Sequence, residues 1–121
     1  MKLSKSEEEL MNYLWKLEKA FMKDLMDAYP EPKPAPTTLA TLLKRMRDKK
    51  VVDYKTYGKS REYFPLIEKE AYFSKQVNGL IKNFFNDSAS QFASFFTQKT
   101  NLTKEELESL RAIIDNEIQK K

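Results

Sequence analysis

Neither cysteine nor histidine occurs among the 121 residues, and only two glycines do. The missing cysteines exclude disulfides, thiolate metal sites and a cysteine nucleophile, and they fit a reducing, cytoplasmic setting. Without histidine there is no imidazole ligand for zinc, no Ser-His-Asp triad and no histidine base. The carboxylate pair Glu105 and Glu106 stands at a helix start, where dipole compensation and capping explain it. No enzymatic activity, cofactor or small-molecule substrate is therefore expected. The scarcity of glycine argues against a loop-rich or disordered chain. No uninterrupted apolar run approaches the roughly 20 residues a membrane span needs, and residues 1–9 contain no apolar signal core, so the reading is a soluble protein.

What is present suits a small core with an appendage. Hydrophobic residues make up 40% of the chain and aromatics 12%, enough for one mostly helical domain with an oligomerisation arm. The net charge is +4, but its distribution says more than its total. Between Lys44 and Arg61 lie eight basic residues, Lys44, Arg45, Arg47, Lys49, Lys50, Lys55, Lys59 and Arg61, against Asp48 and Asp53. That stretch carries +6 and the remainder −2. Clustering of this kind is the footprint that phosphate contacts require, although a merely solvated face has the same composition.

Hydrophobic periodicity predicts a first helix over residues 3–17, with Ser6 and Glu9 spaced as a capping box and Ser4 with Glu7 as a competing start. Leu10, Met11, Leu14 and Leu17 form its core stripe, with Trp15 at the edge. A second helix is expected over residues 20–28, ended by the proline-alternating stretch Pro30 to Pro36, which reads as a stiff loop inside one domain. The third helix begins at Thr37, whose hydroxyl can cap it or whose position can hold a phosphate, and runs to about Lys49. There Leu39, Leu42, Leu43 and Met46 make the packing face, while Thr38, Thr41, Lys44, Arg45 and Asp48 make the other. The β-rich run Val51 to Thr56, the turn around Gly58 and the run Arg61 to Phe64 read as a hairpin with Lys55, Lys59 and Arg61 near its tip. Helical periodicity then resumes from Glu68, pauses at Asn86-Asp87-Ser88, and ends in a helix that Thr103 and Glu106 open as a capping box. Phe73, Val77, Leu80, Phe84, Phe92 and Phe96, with Leu107, Leu110, Ile114 and Ile118, are too many apolar side chains for such short helices to enclose alone. They point to a second copy of the chain as partner.

Three helices followed by a basic hairpin is the winged form of the helix-turn-helix, in which the third helix enters the DNA major groove. The fold expected is mainly α with a small β-hairpin. It combines a winged helix-turn-helix DNA-binding domain at residues 1–67 with a helical dimerisation segment at 68–121. In that arrangement Thr38, Thr41 and Arg45 stand at base-reading reach, Arg45 suited to a bidentate contact with guanine, while Thr37, Lys44, Lys55, Lys59 and Arg61 serve the backbone. The competing reading is a winged-helix protein-interaction adaptor whose basic face binds no specific DNA.

The stretch Pro36-Thr37-Thr38-Leu39-Ala40-Thr41-Leu42-Leu43-Lys44-Arg45-Met46 resembles the penicillinase-repressor family, BlaI/MecI/CopY. So do the opening Leu3 to Met11 with Trp15, the run Tyr57-Gly58-Lys59-Ser60-Arg61-Glu62-Tyr63-Phe64-Pro65, and the final helix start Asn101 to Leu107. The resemblance implies a homodimeric repressor on a palindromic operator of double-stranded DNA, released when a membrane sensor with a metalloprotease domain triggers its cleavage. The matching cleavage region is Ser94-Phe95-Phe96, where the Asn-Phe bond cut in the β-lactam-responsive members is absent. The C-terminal cysteines of the copper-responsive branch are absent too. Lys49-Lys50 replaces the family's usual Lys-Gly after the recognition helix, so that helix must end without a glycine cap, under strain or with a shifted boundary.

Overall fold

Ser4 starts the first helix. In the computed structural model, which describes residues 2–121, its hydroxyl accepts from the Glu7 amide and the Glu7 carboxylate accepts from the Ser4 amide, a reciprocal capping box. Helix α1 therefore spans Lys5–Leu17, and the alternative box at Ser6 and Glu9 is not used. Burial decides between the two. Only with Ser4 as cap does Glu7 become part of the interior, where it is 1% exposed. Leu10, Met11 and Leu14 are fully buried as expected, but Leu17 is 40% exposed, because the chain turns off at Glu18 with φ of 71° and the last turn leaves the core.

The next element departs from a simple helical reading. Ala20–Phe21 is a two-residue strand, β1, and helix α2 covers only Met22–Ala28. Phe21 donates its amide to the Asp24 carboxylate at 2.9 Å, which opens the helix two residues late. Ala20 and Phe21 pair instead with Tyr63 and Glu62. The proline segment then forms a loop in which Lys33 donates from its ammonium group to the carbonyls of Met26, Asp27 and Tyr29, covering the open C-terminal end of α2.

Helix α3 spans Pro36–Asp48. It begins one residue before the expected Thr37, because proline at the first helical position loses no hydrogen bond and has its φ already set. Thr37 is thus inside the first turn and is not the cap; the flanking residue, Ala35, offers no side-chain cap. At the other end the amide of Lys50 reaches the Arg47 carbonyl at 2.9 Å and that of Val51 the Met46 carbonyl at 3.1 Å. Those two bonds, with Val51 and Met46 both buried, make a Schellman stop. The residue in its left-handed position is Lys50, at φ of 62°. The helix ends where a glycine cap would end it, and the lysine takes the strain.

Strands β2 (Val52–Tyr57) and β3 (Ser60–Pro65) form the hairpin, and β1 adds to β3, giving a three-stranded antiparallel sheet in the order β1-β3-β2. Gly58 supplies the positive φ of 60° that the two-residue turn needs. Below the hairpin one core gathers Leu10, Met11, Leu14, Leu25, Leu39, Leu43, Met46 and Val52. Helix α4 (Lys69–Phe84) is tied to that core at its start. The Trp15 indole donates to the Ile67 carbonyl at 2.9 Å, and the Tyr72 hydroxyl accepts from the Leu3 amide at 3.0 Å while donating to Glu8 at 2.7 Å. Burial first, and then Glu8, pushes the Tyr72 phenol up from its ordinary value, so it stays a donor.

The chain divides into two compact units, Met1–Gln76 and Val77–Lys121. The second contains the end of α4, helix α5 (Ala89–Lys99) capped by Ser88, and helix α6 (Lys104–Lys120) capped by the Thr103 and Glu106 box. Neither α5 nor α6 has a buried residue. Phe85 packs on Phe92 and Phe95 at 5.5 and 5.3 Å, and Phe92 stacks on Phe96 at 6.1 Å.

Left-handed backbone costs a non-glycine residue roughly 1–2 kcal/mol, offset in part by the extra chain entropy a glycine loses on folding. Lys50→Gly is therefore expected to raise unfolding stability by up to about 1 kcal/mol, measured by urea denaturation. An unchanged or lower stability would contradict the strained cap.

Candidate nucleic-acid interface

Helix α3 has two faces with opposite fates. Leu39, Leu42, Leu43 and Met46 are all buried, which fixes the rotation of the helix about its axis. Thr37, Thr38, Thr41, Lys44 and Arg45 are consequently exposed, every one of them. The Thr41 hydroxyl donates to the Thr37 carbonyl at 3.0 Å. Its proton is thus engaged within the helix, which leaves its methyl group and its remaining lone pair facing outward. The Thr37 amide has no acceptor among the described residues and sits at the helix's positive end.

The hairpin arranges its cations less simply than the sequence suggests. Lys55, Lys59 and Arg61 are all exposed, but strand alternation separates them. Lys55 pairs with Glu62 and Arg61 with Thr56, so Lys55 and Arg61 lie on opposite faces of the ribbon, with Lys59 in the turn. Arg61 shares its face with Tyr54 and the buried Tyr63.

Two residues that sequence reasoning passed over join the site there. The guanidinium carbons of Arg47, from α3, and Arg61, from β3, each lie 4.4 Å from the centre of the Tyr54 ring. Arg47 also donates from Nε to Asp53 Oδ1 at 3.2 Å. Both partners of that ion pair are well exposed, so it stabilises by less than about 1 kcal/mol, and each cation–π contact adds about 0.5–1 kcal/mol at an exposed site. The signal was available: Arg47 is one turn beyond Lys44 on α3, and the hairpin register puts Tyr54 on the side of Arg61.

A half-buried ion pair holds the far end of the helix. Glu7 Oε1 accepts from the Ser4 amide at 2.8 Å and from Lys49 Nζ at 2.6 Å, while Oε2 is buried with no hydrogen-bond partner among the described residues. Burial pushes the Glu7 carboxyl up, but the hydrogen bond from Lys49, the contacts with Ser4 and the Lys49 charge outweigh it and hold the carboxyl below its ordinary value. Lys49 stands at the C-terminal end of α3, where its charge also suits the helix dipole. The pair clamps the first turn of α1 onto the end of α3.

The apolar residues expected at a dimer seam fall in two places. Phe73 belongs to the first unit, half-buried against Trp15 at 5.8 Å and Tyr72 at 5.1 Å. The other nine lie in the second unit, where Phe84 is 75% and Ile118 64% exposed. Ser94, Phe95 and Phe96 are inside α5, all of them exposed.

A sequence profile of the penicillinase repressor family matches residues 3–116. The chain belongs to the penicillinase repressor family. It is 26% identical over 114 residues to the methicillin resistance regulatory protein MecI of Staphylococcus aureus (strain N315), a match covering 93% of both chains. The solution structure of the DNA-binding domain of the repressor BlaI superposes with a TM-score of 0.52 at 24% identity, over 59% of this chain and 88% of that one. BpsR of Bordetella bronchiseptica, whose DNA binding is regulated by 6-hydroxynicotinic acid, gives 0.54 at 11% identity, over 95% and 79%. The likeness to the BlaI domain, with the helices and three-stranded sheet described above, shows the winged-helix fold. No helix among the described residues is long and apolar enough to cross a membrane.

The clamp on the end of α3 has a pH signature. The Glu7 pKa is lower folded than unfolded, so its contribution is complete above the unfolded value and disappears as pH falls through the folded one. Glu7→Gln should accordingly lower stability by about 1–3 kcal/mol near neutral pH, and the gap from the wild type should close in acid. Denaturation curves at falling pH check this; a gap that does not narrow as the pH falls below the unfolded carboxyl value counts against the ion pair.

Proposed function

We propose that the chain is a DNA-binding transcriptional repressor that acts as a homodimer on an inverted-repeat operator. The observation that carries this reading is the outward face of α3. Thr37, Thr38, Thr41, Lys44 and Arg45 are all exposed along a helix whose opposite side is locked into the core. A major groove about 12 Å wide accepts one such helix. Arg45 is the residue to bind guanine in bidentate fashion, Thr38 and Thr41 present methyl groups to thymine, and Lys44 holds a phosphate. The Thr37 amide at the positive end of the helix suits another phosphate oxygen. Lys55, Lys59 and Arg61 on the wing add affinity with little sequence information.

The pairing rests on the second unit. In that unit Val77, Leu80, Phe84, Phe96, Leu107, Ile114 and Ile118 are exposed and Phe92 and Leu110 half-buried, apolar side chains that a second copy is suited to cover. Two copies would present their recognition helices about 34–36 Å apart, one turn of the duplex. Release by cleavage within α5, triggered by the metalloprotease domain of a membrane sensor, completes the reading. Phe95 is 50% exposed there, and the Ser94-Phe95-Phe96 backbone is helical, so it must unwind to enter a protease.

Selection from random duplexes supplies the operator. Replacing Thr41 and Arg45 together with alanine should then weaken binding by about 2–4 kcal/mol and relax preference at the contacted base pairs, since each good base contact discriminates by about 1–3 kcal/mol. Binding that is absent in the wild type, or unchanged in the variant, leaves an interaction adaptor as the better account. In sedimentation the wild type should run at twice its 14.3 kDa, and Ile114→Asp with Ile118→Asp at monomer mass. A monomeric wild type would rule out the pairing.

A further inference from the structure

Tyr54 is half-buried against the core, and that packing alone does not account for what gathers on its ring. Its ring faces the buried Tyr63 directly across the ladder, with centroids 5.5 Å apart at 61°, so the core fixes its orientation. Its amide donates to Asp53 Oδ1 at 2.8 Å, the same oxygen that receives Arg47 Nε. Onto this fixed ring come two guanidiniums from different elements, Arg47 of α3 and Arg61 of β3, each 4.4 Å from its centre.

Local charge makes the arrangement more than packing. Two cations lie against one ring, and a carboxylate, Asp53, pairs with Arg47, so these charged side chains together carry +1. Arg47 spends only Nε on Asp53, and Arg61 has no ion-pair partner among the described residues. The terminal amino groups of both guanidiniums have no acceptor among the described residues. The attraction of the ring for cations holds both at it, and an anion beside either would offset the excess positive charge. A phosphodiester oxygen fits that role, since planar guanidinium groups bind it with fixed geometry.

We infer that Tyr54 is a positioning residue for duplex binding: it holds Arg47 and Arg61 together at the junction of recognition helix and wing, where they take one or two backbone phosphates. The inference rests on the repressor reading above and adds to it a device that sets the wing against the helix. Tyr54 itself need not touch DNA. Its π face does the work, and its hydroxyl does not.

The test is the salt dependence of binding by the full chain to a random-sequence duplex of about 30 base pairs, for wild type, Tyr54→Phe, Tyr54→Trp and Tyr54→Leu. Each phosphate contact adds about 0.9 to the slope of log K against log salt concentration. Phe and Trp keep the aromatic face and should keep the wild-type slope, whereas Leu should reduce it by about 1–2 and weaken binding about tenfold at moderate salt. An unchanged slope in Tyr54→Leu overturns the inference while leaving duplex binding intact. A loss in Tyr54→Phe equal to that in Tyr54→Leu overturns it as well, by moving the effect to the hydroxyl. If the wild type fails to bind duplex at low salt, the repressor reading itself fails and takes this inference with it. Should thermal melting show that Tyr54→Leu does not fold, the exposed variants Arg47→Gln and Arg61→Gln carry the test. Each should lower the slope by about 1, and two unchanged slopes overturn the claim.

Discussion

The burial of Leu39, Leu42, Leu43 and Met46 is the constraint on which the rest depends. These side chains take one side of α3 out of water, and full burial of each stabilises by roughly 1.5–3 kcal/mol. Rotating the helix by one residue, about 100°, would expose part of that stripe and bury threonine and arginine in its place. The rotation is therefore fixed by packing alone. Because it is fixed, Thr38, Thr41, Lys44 and Arg45 must face solvent, and the helix arrives at any partner already oriented. Preorganisation of this kind spares binding the cost of ordering a reading surface.

Both ends and one flank of the same helix are fixed by separate means. Proline starts it without loss of a hydrogen bond, and a left-handed lysine stops it. The Glu7–Lys49 pair ties its last turn to the first turn of α1, and the neighbouring Glu8 binds Tyr72 of α4. On the flank toward the wing, Arg47 reaches Asp53 and Tyr54. A short helix held at so many points behaves as one rigid body with its hairpin. That is what a protein needs if it is to place one element in a groove and another on the adjoining backbone.

Much of this was legible in the residues because it is local. The helical stripes, the turn at Gly58, the Thr103 and Glu106 capping box and the outward face of α3 follow from spacing within a single element. What escaped depends on partners distant in the chain. Strand β1 exists because Ala20 and Phe21 meet Tyr63 and Glu62 some 40 residues later, and nothing in their own neighbourhood distinguishes them from helix. Ser4 wins over Ser6 where Glu7 is buried and meets Lys49 from 42 positions away, a partner that local spacing does not reveal. Phe73 shares a stripe with Val77 and Leu80, yet it packs on Trp15 because α4 begins against the core and continues into the second unit. The Arg47, Tyr54 and Arg61 cluster needed strand register together with helix phase, two periodicities that must be combined before it appears. The lysine at position 50 is the instructive departure. The Schellman geometry is kept without its glycine, so the stop position comes from Val51 and Met46 packing together and not from the identity of the cap residue.

The central claim is that the outward side of α3 and the wing meet a duplex. Amide chemical shifts of isotopically labelled protein, followed during titration with duplex DNA at low salt, test it residue by residue. The account predicts perturbations concentrated at positions 37–48 and 54–61, with the apolar side of α6 unmoved. Shifts centred on α6 or on the outer face of α1, with Thr38, Thr41 and Arg45 unchanged, would contradict it.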